Sequence, residues 1–331
     1  MGAMRTRGNG RGSRSRWIAL AKLAVSVGIL VLLFRRVDAA ALRGALGGVR
    51  PPVVVLAVLL YAGGQLVSAR KWALLAGAFG FHRPYAAYAR LYFAGMFVNL
   101  LGPSTIGGDV IRTLGLGRPD RRALAAYTVL ADRGLGLTVL VGIGLAALAA
   151  FPEYGLPHGL GRLTGVLAAL LVGSWWIAPR VARLLPRGTR LRRMIESDLA
   201  PLWRERAVLI GAAALSLVFH LMETTVEWIL ARALGLAVPF SYCLVLHPAV
   251  SVLAAVPVSI AGLGIREGGY AFFLEHIGVP PAAALTFGLL WFGVVVLGAL
   301  PGGLLLWRMS SVDATDDAAS GARRSATEAD P

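Results

Sequence analysis

The sequence predicts an all-α polytopic membrane protein with about six full transmembrane helices and two broken, re-entrant helix pairs. Of its 331 residues, 57% are apolar and only 15% are charged, and the mean hydropathy is +0.69. Soluble domains carry roughly 25% charged residues. Several uninterrupted apolar stretches approach or exceed the roughly 18–20 residues needed to cross a bilayer. This composition excludes a soluble globular enzyme and a disordered chain.

The charge balance favours a membrane surface as the partner of the basic residues and disfavours nucleic acid. Lys+Arg total 33 against 17 Asp+Glu, a net charge of +16, and only Lys22 and Lys71 are lysines. The arginines lie at the ends of apolar segments, where they set topology and meet anionic headgroups. Nucleic acid binding would need a soluble basic face. The single Cys243 excludes intrachain disulfides and multi-thiolate metal sites.

The first half of the chain, 17–151, predicts two simple spans, a re-entrant pair and a long third span. The basic segment 1–16 stays in the cytoplasm by the positive-inside rule, segment 17–34 crosses, and 52–69 returns to a basic patch that contains Arg70 and Lys71. Segment 85–112 has basic residues on both sides and a break at Gly102-Pro103, which predicts a re-entrant pair. Segment 123–151 then crosses outward.

The second half, 160–307, predicts the same order of segments. Segment 160–178 returns to the most arginine-rich loop, 207–230 crosses outward, 241–269 is broken at Pro257, and 282–307 crosses back. An Ala/Ser/Asp-rich segment, 308–331, is predicted to be a disordered cytoplasmic tail. Both termini are therefore expected in the cytoplasm, with the chain in the cell (inner or plasma) membrane.

An internal repeat relates the two halves. Segment 103–112 aligns without a gap on 257–266, with Pro, Ile, Gly, Ile and Arg shared at the same five positions. The same offset superimposes the neighbouring spans. Because each half has three full spans, the second half must be inverted relative to the first. Interrupted segments at matching positions of inverted halves are typical of the binding site of a transporter.

The broken segments also suggest anion chemistry. Unpaired N–H groups at a helix N-terminus attract anions, and glycine lets a headgroup approach the backbone. Arg112 and Arg266 end the two matching segments and carry fixed positive charge suited to phosphate. The alternative is that both arginines are interfacial anchors or pair with Asp109 and Glu267.

Two further charged groups lie inside predicted spans. Asp132 and Arg133 are adjacent, so each needs its own partner, unless the helix starts later and the pair is interfacial. His220, Glu223 and Glu227 share one helix face. They could relay protons or bind a cation, but structural pairing of the carboxylates with intramembrane arginines is the favoured interpretation. No ATP-binding loop, metal-ligand set or catalytic motif is visible in the sequence, so no cofactor is expected and a transporter is favoured over an enzyme.

Three ordered motifs carry a family resemblance, which extends over roughly residues 17–307. They are Asn99-x-x-Gly102-Pro103-x-x-x-Gly107-Gly108-Asp109-x-x-Arg112, then Asp132-Arg133-Gly134, then Pro257-x-Ser259-x-x-Gly262-x-Gly264-x-Arg266-Glu267-Gly268. The chain resembles the lysylphosphatidylglycerol synthase transmembrane family, also described as flippase-like or UPF0104 proteins. In bacterial synthases this region is joined to a soluble aminoacyl transferase domain. Only about two dozen residues follow Trp307 here, so we expect a stand-alone membrane region without the synthase chemistry.

The resemblance and the repeat together predict a lipid translocase that moves an anionic phospholipid or a polyprenyl-linked headgroup between leaflets, downhill or coupled to an ion. The predicted headgroup-binding residues are Asn99, Pro103, Thr105, Gly107, Gly108, Arg112, Pro257, Ser259, Gly262, Gly264 and Arg266. The predicted gating or ion-pair residues are Asp109, Asp132, Arg133, Glu223, Glu227 and Glu267.

Other functions remain open at this point. One is a membrane-embedded glycosyl or aminoacyl transferase, or its lipid-binding subunit, with Asp109 or Glu267 as the candidate base. Another is a scaffold, in which Arg112 and Arg266 would matter only for stability. The expected partners are membrane lipids, and a lipid-modifying enzyme or a second copy of the chain are further candidates.

Overall fold

The described part of the chain is helical. The computed structural model describes residues 47–101, 106–154, 188–255 and 264–328, with isolated positions near residue 44 and between 165 and 186, and with side chains as far as Trp307. These residues form helices and short turns without a strand, which confirms the predicted all-α class. The predicted span 17–34 and most of the predicted span 160–178 lie outside the described residues.

Eight main helices build the described fold. Their bounds are α1 Pro51–Ala78, α2 Tyr85–Leu101, α3 Ile106–Leu116, α4 Arg122–Ala150, α5 Arg206–Ala233, α6 Phe240–Ala255, α7 Ile265–His276 and α8 Pro281–Glu328. Short helical pieces precede α5, at Arg190–Arg193, Met194–Asp198 and Ala200–Arg204. Within the described ranges, four segments are long and apolar enough to cross a membrane: Pro51–Ala78, Pro119–Ala150, Arg206–Ala233 and Pro281–Trp307.

Local sequence explains where α1 begins and ends. Pro51 and Pro52 occupy its first turn, where a missing N–H leaves no helical hydrogen bond unmade. The helix ends at Ala78, and Gly80 follows with a positive φ of 74° that suits glycine. At 28 residues, α1 is longer than the predicted 52–69 span. Arg70 and Lys71 therefore lie inside the helix, which corrects their assignment to a basic patch after it.

The C-terminal tail also differs from its prediction. Helix α8 continues from Pro281 to Glu328 and so includes most of the segment predicted to be disordered. Alanine is the strongest helix former, and the tail is rich in it. The composition that suggested disorder is therefore also compatible with a continued helix.

Helices α2 and α3 form a pair that returns to the end from which it starts. Arg83, just before α2, donates to the carbonyl oxygen of Gly115 near the end of α3 (2.9 Å). Arg121, just before α4, donates to the carbonyl oxygen of Phe79 at the end of α1 (2.9 Å). We call this end, where α1 ends and α4 begins, the first mouth.

Helices α6 and α7 return in the same way at the opposite end of α4. Tyr242, in the first turn of α6, donates to the carbonyl oxygen of Phe273 near the end of α7 (2.6 Å). Tyr154, just after α4, shares a hydrogen bond with Ser241 (2.8 Å). This end is the second mouth. Because α4 has 29 residues at about 1.5 Å each, the two mouths lie roughly 40 Å apart.

The long helices α1 and α5 run in opposite directions, as expected if the second half is inverted relative to the first. On α1 and α5, Gly63 lies against Met222 while Gly211 lies against Leu74, so the two helices are antiparallel. They are also equivalent in the sequence repeat, and they cross near their midpoints. Helix α2 packs on α8 as α6 packs on α4. The described helices of the two halves thus make contacts in the order that an inverted repeat predicts.

Two apolar cores are present, each drawn mainly from one half and completed by a few residues of the other. One gathers around Trp72, Leu75 and Tyr88, and the other around Tyr270, Phe287 and Leu246. The buried charged side chains lie between these two cores, and they define the candidate site.

Candidate functional site

A cavity of about 480 Å³ lies where the two halves meet. Helices α1 to α4 supply most of its wall, and α5 and α6 complete it from the other half. Its lining includes polar side chains, among them Ser68 and Asn99, and also the apolar side chains of Leu137, Leu140 and Phe219. The cavity therefore presents both charged and hydrophobic side chains.

Asp132 on α4 is the centre of the charged wall. Its Oδ1 lies 3.0 Å from the Nζ of Lys71 on α1, and its Oδ2 accepts a 2.6 Å hydrogen bond from Nη2 of Arg112 on α3. The three residues are only 3%, 4% and 6% exposed, respectively. Because an isolated buried charge is costly, these side chains depend on one another. One carboxylate thus ties three helices together.

The guanidinium of Arg112 is held between two aromatic rings. Its central carbon lies 4.2 Å from the ring centroid of Trp72 and 4.8 Å from that of Tyr92. Trp72 is fixed by a hydrogen bond to Thr128 (3.0 Å), and Tyr92 by one to Ser68 (2.8 Å). Flat stacking of this kind suits arginine and is unavailable to lysine. Within the described part of the chain, the buried Nε of Arg112 has no hydrogen-bond partner.

A second ion pair lies next to the first. Nε of Arg133 on α4 lies 2.6 Å from Oδ2 of Asp109 on α3, and Asp109 is also 3.9 Å from Arg112. The side chain of Arg133 is 45% exposed. Since α4 begins at Arg122, Asp132 and Arg133 lie well inside the helix and not at its start. Each has its own partner, as adjacent positions on a helix require.

Gly107 and Gly108, two of the glycines predicted to bind a headgroup, contact other residues of the protein. The N–H of Gly108 donates to Oδ1 of Asn99 (2.6 Å). A Cβ added to Gly108 would collide with the carbonyl oxygen of Gly95, so α2 and α3 cross too closely for a side chain there. Gly107 lies against Val98 in the same crossing. Close packing of α2 and α3 therefore accounts for both glycines. The N–H group of Gly108 already donates to Asn99.

The matching region of the second half is only partly described. Gly264 has a φ of +86° and precedes α7, and its N–H donates to Oε2 of Glu267 (2.5 Å). Five predicted headgroup-binding residues lie outside the described residues: Pro103, Thr105, Pro257, Ser259 and Gly262.

Arg266 does not share the environment of Arg112. It is half-buried on α7 and is not among the described residues that line the cavity. It interacts electrostatically with Glu223 and Glu267. Glu223 also accepts a hydrogen bond from Nε2 of Gln65 across the interface between the halves (3.1 Å). The two arginines that share one position in the repeat thus have different partners.

Sequence reasoning did not identify several residues of these clusters. Lys71 belongs to the site. The sequence feature that could have identified it is a charged residue within a stretch long enough to form one continuous helix. Trp72 and Tyr92 gave no signal, because aromatic residues are common in membrane helices. Glu227, which shares a helix face with His220, contacts His247 and Tyr270. Those two residues were not singled out, since they lie on other helices far away in sequence.

Comparisons with known proteins agree with the sequence motifs. The family model described as the lysylphosphatidylglycerol synthase transmembrane region matches residues 19–302. A relative described as a UPF0104 membrane protein, from Methanothermobacter thermautotrophicus, is 21% identical over 292 residues. That alignment covers 79% of this chain and 86% of the relative. The predicted family is therefore confirmed.

Proposed function

We propose that this chain, which belongs to the lysylphosphatidylglycerol synthase transmembrane family, moves a lipid with an anionic headgroup between the two leaflets of a membrane. The observation that carries the proposal is the charged cavity between inverted halves. Among the described lining residues, Lys71, Arg112 and Arg133 face two carboxylates, those of Asp109 and Asp132. This surplus of one positive charge favours a singly charged anion such as a phosphodiester.

The two kinds of lining residue suit the two parts of a lipid. A phosphate can bind the half-exposed guanidinium of Arg133, since arginine donates to phosphate through a planar fork. The Nε of Arg112 has no hydrogen-bond partner but is buried, so it becomes a second donor only when the guanidinium moves away from Asp132. The apolar lining residues Leu137, Leu140 and Phe219 suit the beginning of an acyl or prenyl chain. A free headgroup would make no use of them.

Shared ion pairs offer a mechanism for movement. Asp132 is shared by Lys71 and Arg112, and Asp109 is shared by Arg112 and Arg133. An incoming phosphate competes with these carboxylates for the arginines. Because the pairs connect α1, α3 and α4, a change of partners shifts α3 relative to α4. Such rocking of inverted halves around a midplane site is how many transporters alternate access.

The test is leaflet exchange in proteoliposomes, followed with fluorescent lipids and a membrane-impermeant quencher. The panel contains phosphatidylglycerol, a zwitterionic lipid, an aminoacylated lipid and a polyprenyl phosphate. Arg133→Gln removes a cavity cation from a half-exposed position, so the fold should tolerate it. Arg118→Gln, at an exposed position outside the cavity, is the matched control.

We expect protein-dependent exchange of one lipid class, slowed about tenfold or more in Arg133→Gln because a charge-assisted hydrogen bond is lost. Arg118→Gln should match the wild type. Equal exchange with and without protein, for every lipid, would contradict the proposal. Chemical modification of a lipid on adding an activated donor would instead favour a transferase or its subunit.

A further inference from the structure

A second buried polar cluster lies beyond the ion pairs, and we call it the histidine–glutamate chain. Its members are His220, His247, Glu227 and Tyr270. Oε1 of Glu227 lies 3.0 Å from Nδ1 of His247 and accepts a 2.7 Å hydrogen bond from the Tyr270 hydroxyl. Nε2 of His247 lies 3.4 Å from Nδ1 of His220. Nε2 of His220 lies 3.1 Å from the carbonyl oxygen of Gly136.

The acceptors in this chain restrict where its protons lie. A carbonyl oxygen only accepts, so Nε2 of His220 carries a hydrogen. The contacts between the two histidines and between His247 and Glu227 then need one hydrogen each. With those two hydrogens the three side chains His220, His247 and Glu227 have no net charge, whichever atoms hold them. Proton position in the chain is therefore free to shift without breaking a contact.

One atom offers room for an additional proton. Glu227 is 0% exposed, and its second oxygen, Oε2, has no hydrogen-bond partner among the described residues of the protein. A third proton on this carboxyl would leave both contacts in the chain intact. Loss of one proton would leave a contact without a hydrogen and a net negative charge. The chain can thus gain a proton while its contacts are kept, and releasing that proton restores the neutral arrangement.

Other charged or titratable groups near this chain lie on α1, α5, α6 and α7, whereas α8 packs against Tyr270 with the aromatic rings of Phe287 and Trp291. Lys71 on α1 acts on His220, and Glu223 on α5 lies one turn from Glu227. Cys243 on α6 interacts with Glu227, and Arg266 on α7 acts on Tyr270. Tyr61 on α1 interacts with both Glu223 and Arg266. Positive groups thus flank both ends of the chain, so a proton bound in it is felt at both ends.

The chain is connected to the candidate lipid site through one turn of α4. His220 lines the cavity and contacts the carbonyl oxygen of Gly136. Lys71 contacts both the side chain and the backbone carbonyl of Asp132, one turn earlier on the same helix. A change of charge in the chain therefore acts on the same turn that holds the Asp132 ion pairs.

We propose that the histidine–glutamate chain binds and releases one proton, and that this proton drives lipid movement. The coupling part rests on the proposed lipid translocation, whereas proton binding itself does not. A singly charged lipid that moves together with one proton transfers no net charge. A gradient of one pH unit would then support about a tenfold asymmetry of the lipid between leaflets.

Coupling is tested in proteoliposomes with an imposed pH gradient, with the membrane potential clamped by potassium and valinomycin. The leaflet distribution of the transported lipid is measured with the impermeant quencher. The wild type should reach the roughly tenfold asymmetry, and Glu227→Gln should equilibrate the lipid evenly while still exchanging it. Glu275→Gln, an exposed carboxyl on α7, is the matched control and should behave as wild type. Exchange of lipid with no response to the gradient in the wild type would overturn coupling while leaving translocation standing.

Proton binding is tested separately by infrared difference spectroscopy of the purified protein during a pH titration. A carboxylic acid C=O band should change with pH in the wild type and in Glu275→Gln, and be absent in Glu227→Gln. Tyr270→Phe removes a donor to Oε1 and should shift the frequency of that band without abolishing it. A spectrum in which Glu227→Gln loses no band would overturn the proposal even if lipid exchange is never observed.

Discussion

The two halves share a backbone arrangement but carry different chemistry. Under the repeat offset that places Arg112 on Arg266, Asp132 corresponds to Thr286 and Lys71 to Thr225. In the other direction, Glu227 corresponds to Ala73 and His247 to Phe93. The first half therefore holds the ion pairs and the second half holds the titratable chain. An inverted repeat fixes where helices cross, while the side chains at each crossing are free to specialise.

The comparison between the two halves assumes that they are inverted in the membrane. Labelling of single cysteines at the two mouths tests this assumption directly. Arg118 lies at the first mouth and Glu153 at the second, and both are exposed. The only native cysteine, Cys243, is buried, so Arg118→Cys and Glu153→Cys each provide a single reactive site. By the positive-inside rule, a membrane-impermeant maleimide should label Glu153→Cys on intact cells and Arg118→Cys only after permeabilisation. Labelling of both from the same side would contradict the inverted arrangement.

The next largest effect concerns the charge network of the first half. Asp132→Ala leaves Lys71 and Arg112 buried without their shared carboxylate, and should cost about 3–5 kcal/mol of unfolding free energy. The measurement is denaturation by increasing sodium dodecyl sulfate in mixed micelles. Glu153→Ala, at an exposed position, should stay within about 0.5 kcal/mol of the wild type.

A second substitution separates charge from packing in that network. Adding Lys71→Met to Asp132→Ala removes one of the two uncompensated cations and should recover part of the lost stability. If Asp132→Ala were as stable as the wild type, or if Lys71→Met worsened it, Asp132 would not be the centre of the network.

A smaller change in stability is expected from the closeness with which the helices cross in each re-entrant pair. Gly108→Ala places a methyl group against the carbonyl oxygen of Gly95, and should destabilise the protein by about 1–3 kcal/mol. Gly269→Ala, in α7, meets only the side chains of Val250 and Leu253 at ordinary contact distances, and should change stability by less than about 0.5 kcal/mol. The same denaturation series measures both variants. Equal losses would show that the two pairs cross with the same closeness.

The sequence predicted the architecture better than the site, for a physical reason. Apolar length and arginine placement are local signals, and they were sufficient for the all-α polytopic membrane class. The partners of Asp132 are not local, since Lys71 and Arg112 reach it from two other helices. Lys71 was placed outside the membrane helix because a charge usually marks a helix end. A buried charge is stable only through partners that the fold supplies, and sequence spacing alone does not reveal them.

The smallest expected effect compares the two mouths. At the first mouth, Arg121 donates to the carbonyl oxygens of Phe79 and Gly80 at the end of α1 and stacks over Phe81. Because this cation faces the negative end of a helix dipole, Arg121→Gln should cost about 1 kcal/mol at low salt, and less as NaCl screens the interaction. The measurement is again detergent denaturation, repeated at several NaCl concentrations.

At the second mouth, Tyr154→Phe removes only the neutral hydrogen bond to Ser241 and keeps the ring packed against Tyr242. It should cost about 0.5–1 kcal/mol, independent of salt. A salt-dependent loss in Tyr154→Phe, or a salt-independent one in Arg121→Gln, would show that charge does not distinguish the mouths. We expect that charge difference to favour a single orientation of the fold in a membrane that has anionic lipid on one side.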